Sequence, residues 1–336
     1  MKKNLMLLGF IACTMTAVAQ ETQVTTQVKT EVTTQVKTQV TTQDQEEPVQ
    51  KKESWYFKVG GSYFLQTAAT EFPIVSGQLP NTDVYGADGT TLLSRETNHG
   101  SFGEGFRTNL TAGYRFTTRL GVEMGVNYYI GQSKTMVQTT HKQAVPGAPV
   151  FVDGKAEGRI KALDLSPALV LFLGETNGFE PYTKVGVIVP IHGDLTIETN
   201  RTYTTPAGIT NTYSKDVVKP EPTVGFMAAI GASFKIGKNL SVFSEVEYRN
   251  FTVHGKSKET EIYKENGEDK LYTPTSFRPD ASYSASHVNY VDQLNSSSNS
   301  KVTNAAGFDN TKATDDISSF VGISGLGLTI GVKYAL

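Results

Sequence analysis

Five histidines, His99, His141, His192, His254 and His287, are the side chains whose ordinary titration falls near neutral pH. His192 has Asp194 two residues away, and together they have the composition of a general base. Catalysis needs a nucleophile, an activated water or a metal beside such a base. No hydroxyl, thiol or ligand cluster is spaced to supply one, so no catalytic residue, metal site or cofactor is expected. Histidines scattered through polar connecting segments are ordinary surface residues. A second set is more regular: Lys58, Arg107, Arg115, Glu123, Asp164, Glu180, Lys184, Lys235, Glu245, Glu247, Arg249 and Lys333. Most of them stand directly between two apolar residues. On an extended chain that spacing puts charge on one face and hydrocarbon on the other. The chemistry open to such a set is mutual neutralisation in a site that water does not reach, or a narrow path for ions.

The elements that must position these charges are strands. In the final stretch, Gly325 to Leu336, Leu326, Leu328, Ile330, Val332, Tyr334 and Leu336 share one face, and Gly327, Thr329, Gly331, Lys333 and Ala335 share the other. Seven earlier spans repeat the pattern. Trp55 to Gln66 and Arg107 to Phe116 are followed by Leu120 to Ile130, then Leu163 to Leu173 and Glu180 to Val189. Val224 to Lys235 and Leu240 to Arg249 complete the set. No outward position in the eight spans is charged. A basic side chain facing lipid at the bilayer midplane costs about 2–4 kcal/mol, which accounts for the asymmetry. Alternation alone also fits a soluble lipocalin-like barrel, but there the polar face would not gather the charges and glycines. Aromatic residues mark the span ends. Trp55, Phe57, Phe116, Phe234 and Tyr334 are expected in a periplasmic girdle, and Tyr63, Tyr128 and Tyr248 in an outer one.

Connections alternate between short and long. Those at roughly 70–105, 132–158, 191–221 and 252–318 are long, and three short turns lie between them. They keep β character: Asn266-Gly267 is a hairpin turn signal between TEIYK and DKLYT, and Asp194–Tyr203 faces Ile209–Val218 across another turn. Two irregularities are expected, a bulge or shifted span at Pro167 and a bulge near Gly325 where the inward and outward parity breaks.

At its start the chain has Lys2 and Lys3, an apolar core from Leu5 to Ala12, and Ala17-Val18-Ala19 before Gln20, an export signal spanning residues 1–19. The only cysteine, Cys13, lies inside it in a poor context for lipoprotein processing. Residues 20–53 follow as a Thr/Gln/Val/Lys repeat of period eight, expected to be a low-complexity periplasmic tether that also offers residues 20–50 to a periplasmic partner. The barrel occupies residues 54–336. A formal net charge of −2 gives no reason to expect nucleic acid, and no apolar run is long enough for a membrane-spanning helix.

The export signal, the eight alternating spans, FEPYTKVGVIVP, VGFMAAIGASFKIGKNLSVFSEVEYRNF and the amphipathic terminal strand together resemble the small outer-membrane β-barrel proteins of the OmpX and OmpA transmembrane type. The resemblance implies an all-β fold: a closed antiparallel up-and-down transmembrane barrel of eight strands with long extracellular hairpin loops, N-terminal tether and C-terminus both periplasmic. It implies surrounding outer-membrane lipids and lipopolysaccharide, and an assembly machinery that reads the C-terminal strand. Members of that family finish on an aromatic residue, whereas this chain finishes on Leu336 with Tyr334 two places earlier. The expected function is structural and interactive, with outer loops binding surface-protein or matrix partners and the lumen plugged by paired charges. Glu123 is expected to pair with Arg107 and Arg115, and Lys235 with Glu245 and Glu247. The alternatives are a narrow porin and, further off, a lipid A modifying enzyme.

Overall fold

The computed structural model describes residues 54–221 and 223–336. The export signal and the repeat lie outside the described residues. Eight long strands correspond to the eight expected spans: β1 (Ser54–Gln66), β2 (Gly105–Arg115), β3 (Leu120–Gly131), β4 (Phe151–Phe172), β5 (Phe179–Thr205), β6 (Gly225–Lys235), β7 (Leu240–Asn250) and β8 (Gly325–Ala335). All eight pair antiparallel, β1 with β2, β2 with β3, and so on to β7 with β8, and β8 pairs again with β1. The strand count differs from the expectation of eight, because one sheet holds 17 strands. The extra strands come from the long connections, whose Thr- and Val-rich stretches keep pairing once past the ring.

Burial follows the two-residue period. Along β7 exposed and buried positions alternate without a break, and the outward Leu240, Val242, Val246 and Tyr248 contrast with buried Ser241, Phe243, Glu245, Glu247 and Arg249. The apolar face is thus the exposed one and the charged face the buried one, the reverse of a soluble barrel. The three short connections lie at the end that holds the termini. Leu336 N–H donates to the Trp55 carbonyl at 3.0 Å, Ala335 N–H to Asn239 at 2.9 Å, and Lys235 N–H to Gly178 at 2.9 Å. At the turn before β3, the Thr117 hydroxyl oxygen accepts the Leu120 N–H at 2.8 Å.

At the other end β4 and β5 run on past the ring, and further strands pair beside them. Lys134–Gln143 pairs with β4, and Asn81–Tyr85 joins it in parallel, with Leu92–Thr97 outside that. On the other side Gly208–Glu221 pairs with β5, Thr252–Glu265 with Gly208–Glu221, then His287–Val291 and Thr314–Ile317. The hairpin expected between Asp194–Tyr203 and Ile209–Val218 is there, from Leu195↔Val218 to Tyr203↔Thr210. The one around Asn266-Gly267 has two rungs only, Lys264↔Asp269 and Glu265↔Glu268, while the other edge of the same strand pairs Lys264 with Tyr213 and Ile262 with Lys215. Its turn residues have φ values of 49° and 88°, the left-handed conformation that Asn and Gly tolerate. Phe72, Val75 and Phe102 from the first long connection fold against Tyr129, Met136, Ile160, Leu195 and Ile197, forming an apolar cluster at this end.

Both expected irregularities take another form. Pro167 sits in register opposite Met124 of β3. On the β5 side the ladder skips from Ala168↔Gly186 to Leu165↔Val189 with no change of register, as expected where a residue has no N–H to donate. The bulge lies beyond it, between Pro190 and His192. Near Gly325 no bulge forms. A short strand, Phe320–Gly322, pairs with Thr252–His254, and the chain then leaves the sheet until Gly325. The backbone of Ser324 is satisfied there by Ser101, its N–H donating to the Ser101 hydroxyl at 3.0 Å.

Candidate functional site

The twelve charged residues singled out in the sequence come from all eight strands, and the eleven that are buried come from every strand but β6. They form three tiers along the ring. In the middle tier Lys58 of β1, Glu123 of β3, Lys184 of β5 and Glu245 of β7 meet, because inward side chains of alternate strands fall at one level of a tilted sheet. Lys58 Nζ is 2.6 Å from Glu123 Oε1 and 3.0 Å from Glu245 Oε1, while Lys184 Nζ is 2.6 Å from Glu245 Oε2 and 3.5 Å from Glu123 Oε2. Each ammonium therefore touches both carboxylates. Two tyrosines complete the shell, Tyr56 donating to Glu123 at 3.1 Å and Tyr182 to Glu245 at 2.8 Å. Lys58 also lies over the Tyr182 ring, 4.4 Å from its centroid. Space for Tyr56 exists because its neighbour across the strands is Gly113, where a Cβ would strike the ring.

Toward the long connections Arg107 makes a two-pronged contact with Glu247, both nitrogens at 2.6 Å. Its Nη2 also donates to Ser62 at 3.2 Å and Thr329 at 3.3 Å. Arg249 Nη2 donates to Asp164 at 2.7 Å, and Asn127 donates to the same carboxylate at 2.8 Å. Toward the termini Arg115 is 2.5 Å from Glu180, with Lys333 3.3 Å from that carboxylate's other oxygen. The Arg115 guanidinium stacks on Phe172 at 4.0 Å.

The expected partners were not the ones that meet. Glu123 pairs with Lys58 and Lys184 instead of Arg107 and Arg115, and Lys235 pairs with Glu175 at 2.5 Å near the surface, apart from Glu245 and Glu247. Lys235 is the last residue of β6, where the side chain escapes to water. Sequence reasoning also passed over Tyr56 and Tyr182, whose inward register was legible but whose hydroxyls reach the carboxylates only through the tilt of the sheet. Of the aromatics, Trp55, Phe57, Phe116, Tyr128, Phe234, Tyr248 and Tyr334 are exposed on the outer face. Tyr63 is half-buried, packed on Phe106 and donating to Glu104 at 3.0 Å.

The histidines lie in strands and not in loops. His192 Nε2 is 3.4 Å from Asp194. His254 Nε2 is 3.9 Å from Glu221, and its Nδ1 is 3.4 Å from the Ser318 hydroxyl. That hydroxyl donates to the Gly255 carbonyl at 2.9 Å, so its proton is not directed at His254. No group of three or more His, Cys, Asp or Glu among the described residues has the arrangement of a metal site. In the outer sheet, pairing shifts exposed charges in the usual directions: the Arg95 guanidinium holds Asp83 below the ordinary carboxylate range, and Glu261 raises Lys215.

An antiparallel ring with an uncharged apolar exterior and a paired, buried set of charges defines a membrane β-barrel class of protein. Residues 5–284 match the model of the family described as outer membrane protein beta-barrel domain, and the chain belongs to that family. Curated protein sequences give no match. Among solved structures the chain is similar to the outer membrane protein OprG from Pseudomonas aeruginosa, at 12% identity over 84% of this chain and 95% of that one, with a TM-score of 0.38. Neisserial surface protein A is similar at 10% identity, over 83% and 96% of the two chains, with a TM-score of 0.29. So is Ail, the attachment invasion locus protein of Yersinia pestis, in complex with the heparin analogue sucrose octasulfate, at 10% identity, 84% and 97% coverage and a TM-score of 0.28. Scores this low carry no functional argument.

Proposed function

We propose that this chain is an integral outer-membrane protein whose eight paired strands form a closed transmembrane barrel, and whose outer sheet binds partners at the cell surface. The observation that carries this is the strand Leu92–Thr97. Among the described residues it pairs with Asn81–Tyr85 alone, and all six of its residues are exposed, Leu93 at 65%. An open edge invites an extended segment of another protein to add as the next strand. Arg95 holds this edge in register through a two-pronged contact with Asp83 at 2.7 and 2.8 Å. Surface-protein or matrix partners with extended segments fit this edge.

The lumen is read as plugged. An eight-stranded barrel has an interior just wide enough for side chains, and six cations and five carboxylates pair across it: Lys58, Lys184, Arg107, Arg249, Arg115 and Lys333 with Glu123, Glu245, Glu247, Asp164 and Glu180. Both termini face the periplasm in this reading, because the strand number is even and the short connections share their end. Residues 1–19 direct export, residues 20–53 form the tether with its own periplasmic partner, and β8 is the strand read by the assembly machinery. Outer-membrane lipids and lipopolysaccharide surround the apolar band.

Planar-bilayer recording and a surface-binding assay test the proposal together. The purified protein should give no steady conductance, and cells displaying it should adhere to wells coated with matrix protein. The Thr97→Pro variant, which removes an N–H that points to the open edge, should abolish adhesion. Reproducible channels of nanosiemens size, or adhesion indifferent to Thr97→Pro, would overturn it in favour of the porin or of a different surface.

A further inference from the structure

Beyond the ring, Lys134–Gln143, β4 and β5 form a sheet whose inner face carries side chains in rows. Thr139, Gly154 and Arg201 stand opposite one another in one row, and Val137, Ala156 and Thr199 in the next. Lys142 is opposite Val152 in the row on the other side. Gly154 leaves a hollow at the centre. A Cβ there would stand 3.2 Å from Cγ of Arg201, so the Arg201 stem lies over β4. Val75 and Gln78 of the first long connection, bonded to each other through their backbones at 2.9 and 3.1 Å, line the hollow from the other side.

The centres of water-sized bodies can range over about 30 Å³ of this pocket, against the roughly 10–15 Å³ that one water needs. That is room for a pair of waters or one tetrahedral oxyanion, and too little for a sugar ring or a hydrocarbon chain. Two of the lining residues, Lys142 and Arg201, have no carboxylate at ion-pair distance among the described residues. Lys142 lies 6.0 Å from the centroid of the Tyr85 ring. Asp83 is held below the ordinary carboxylate range by Arg95 first and by Lys142 more weakly, and its two oxygens already accept from Arg95 at 2.7 and 2.8 Å. Lys155, also on the lining, is paired with Glu157 at 2.8 Å. A second observation points the same way. Thr199 lines the pocket and is 3% exposed, yet its hydroxyl has no hydrogen-bond partner. A buried hydroxyl left unpaired is uncommon and marks a place for an acceptor.

We infer that this pocket binds one doubly charged oxyanion of the phosphate type, either free or as the end group of a phosphate ester. Two cations balance its charge. The Arg201 fork and the Lys142 ammonium supply charge-assisted donors, and the hydroxyls of Thr139 and Thr199 with the Gln78 amide supply neutral ones. The pocket does not involve the strand Leu92–Thr97, so it stands whether or not that edge binds a partner.

The full-length protein in phosphatidylcholine nanodiscs is titrated with inorganic phosphate by calorimetry, in a buffer free of phosphate. One saturable site per chain is expected, with a dissociation constant of about 1 mM or tighter. Arg201→Gln and Lys142→Met should each weaken it about tenfold or more, and Thr199→Val, which nearly keeps the volume, by a smaller factor. Arg201→Lys keeps the charge and loses the fork, so its affinity should fall between those of the unaltered protein and Arg201→Gln. Lys215→Met, which removes a cation paired with Glu261, should leave binding unchanged. The fold of each variant is checked by the mobility of unboiled samples on gels. Displacement of the ion by glycerol 1-phosphate would assign the ester as the occupant, and failure to displace it would assign the free ion. Absence of a saturable site, or a site indifferent to both Arg201→Gln and Lys142→Met, would overturn the inference. So would equal affinity for acetate, which carries a single charge on a planar group.

Discussion

Removing Lys58 should be among the most damaging single changes in the chain. Its ammonium lies between Glu123 and Glu245 at 2.6 and 3.0 Å, and the side chains of all three are 2% exposed. Lys58→Met keeps most of the volume and deletes the charge. Lys184 would then face two carboxylates alone, at 3.5 and 2.6 Å. Breaking a buried pair in this way costs about 3–5 kcal/mol, because the charge left behind has been taken out of water without compensation. That is a change of roughly two to three and a half powers of ten in the folding equilibrium. Trp55, the sole tryptophan, sits on the outer face and reports unfolding by its fluorescence. The assay is urea unfolding of the protein in lipid vesicles, with Lys235→Met as the control. Lys235 pairs with Glu175 where the side chains are 45% and 27% exposed, so its loss should cost at most about 1 kcal/mol. The reasoning fails if Lys58→Met costs no more than Lys235→Met, or if adding Glu245→Gln to Lys58→Met destabilises further instead of recovering stability.

Three other outcomes are expected. Arg107→Lys keeps the charge but loses the fork to Glu247 and should cost about 1.5–3 kcal/mol by the same unfolding assay, the range for hydrogen bonds to charged groups. Leu328→Arg puts a cation on the outward face of β8 and should cost about 2–4 kcal/mol in vesicles, with little effect if that face meets water instead of lipid. Asp309, outside the ring, accepts hydrogen bonds from the Thr311 hydroxyl and N–H and faces Lys312, which lowers it from 3.8 to about 2. A depressed carboxylate stabilises its turn above the unfolded value and loses that stability as pH falls. Hydrogen-exchange protection of the Thr311 amide should therefore persist at neutral pH and disappear between about pH 4 and pH 2. Protection that rises with acid would contradict the assignment.

What the sequence alone determined was local and periodic. The two-residue alternation in Leu326 to Leu336 and its counterparts requires extended chain with one charged and one apolar face, and each of the eight spans is a strand. Which face was buried could be argued from cost, since twelve charges on one side are tolerable only if they find each other. Which charge meets which could not be read along the chain. Partners in the middle tier come from β1, β3, β5 and β7, and the level at which an inward residue sits depends on strand tilt and stagger. The same cause placed Tyr56 and Tyr182 on the carboxylates and sent Lys235 outward at a strand end. The irregular positions were legible only in part. Pro167 announced a missing donor, but whether the sheet answers with a gap or a bulge depends on the neighbouring strand. The bulge between Pro190 and His192 arises where β5 exchanges one partner for another. No single segment encodes that event, because it is a property of three strands meeting.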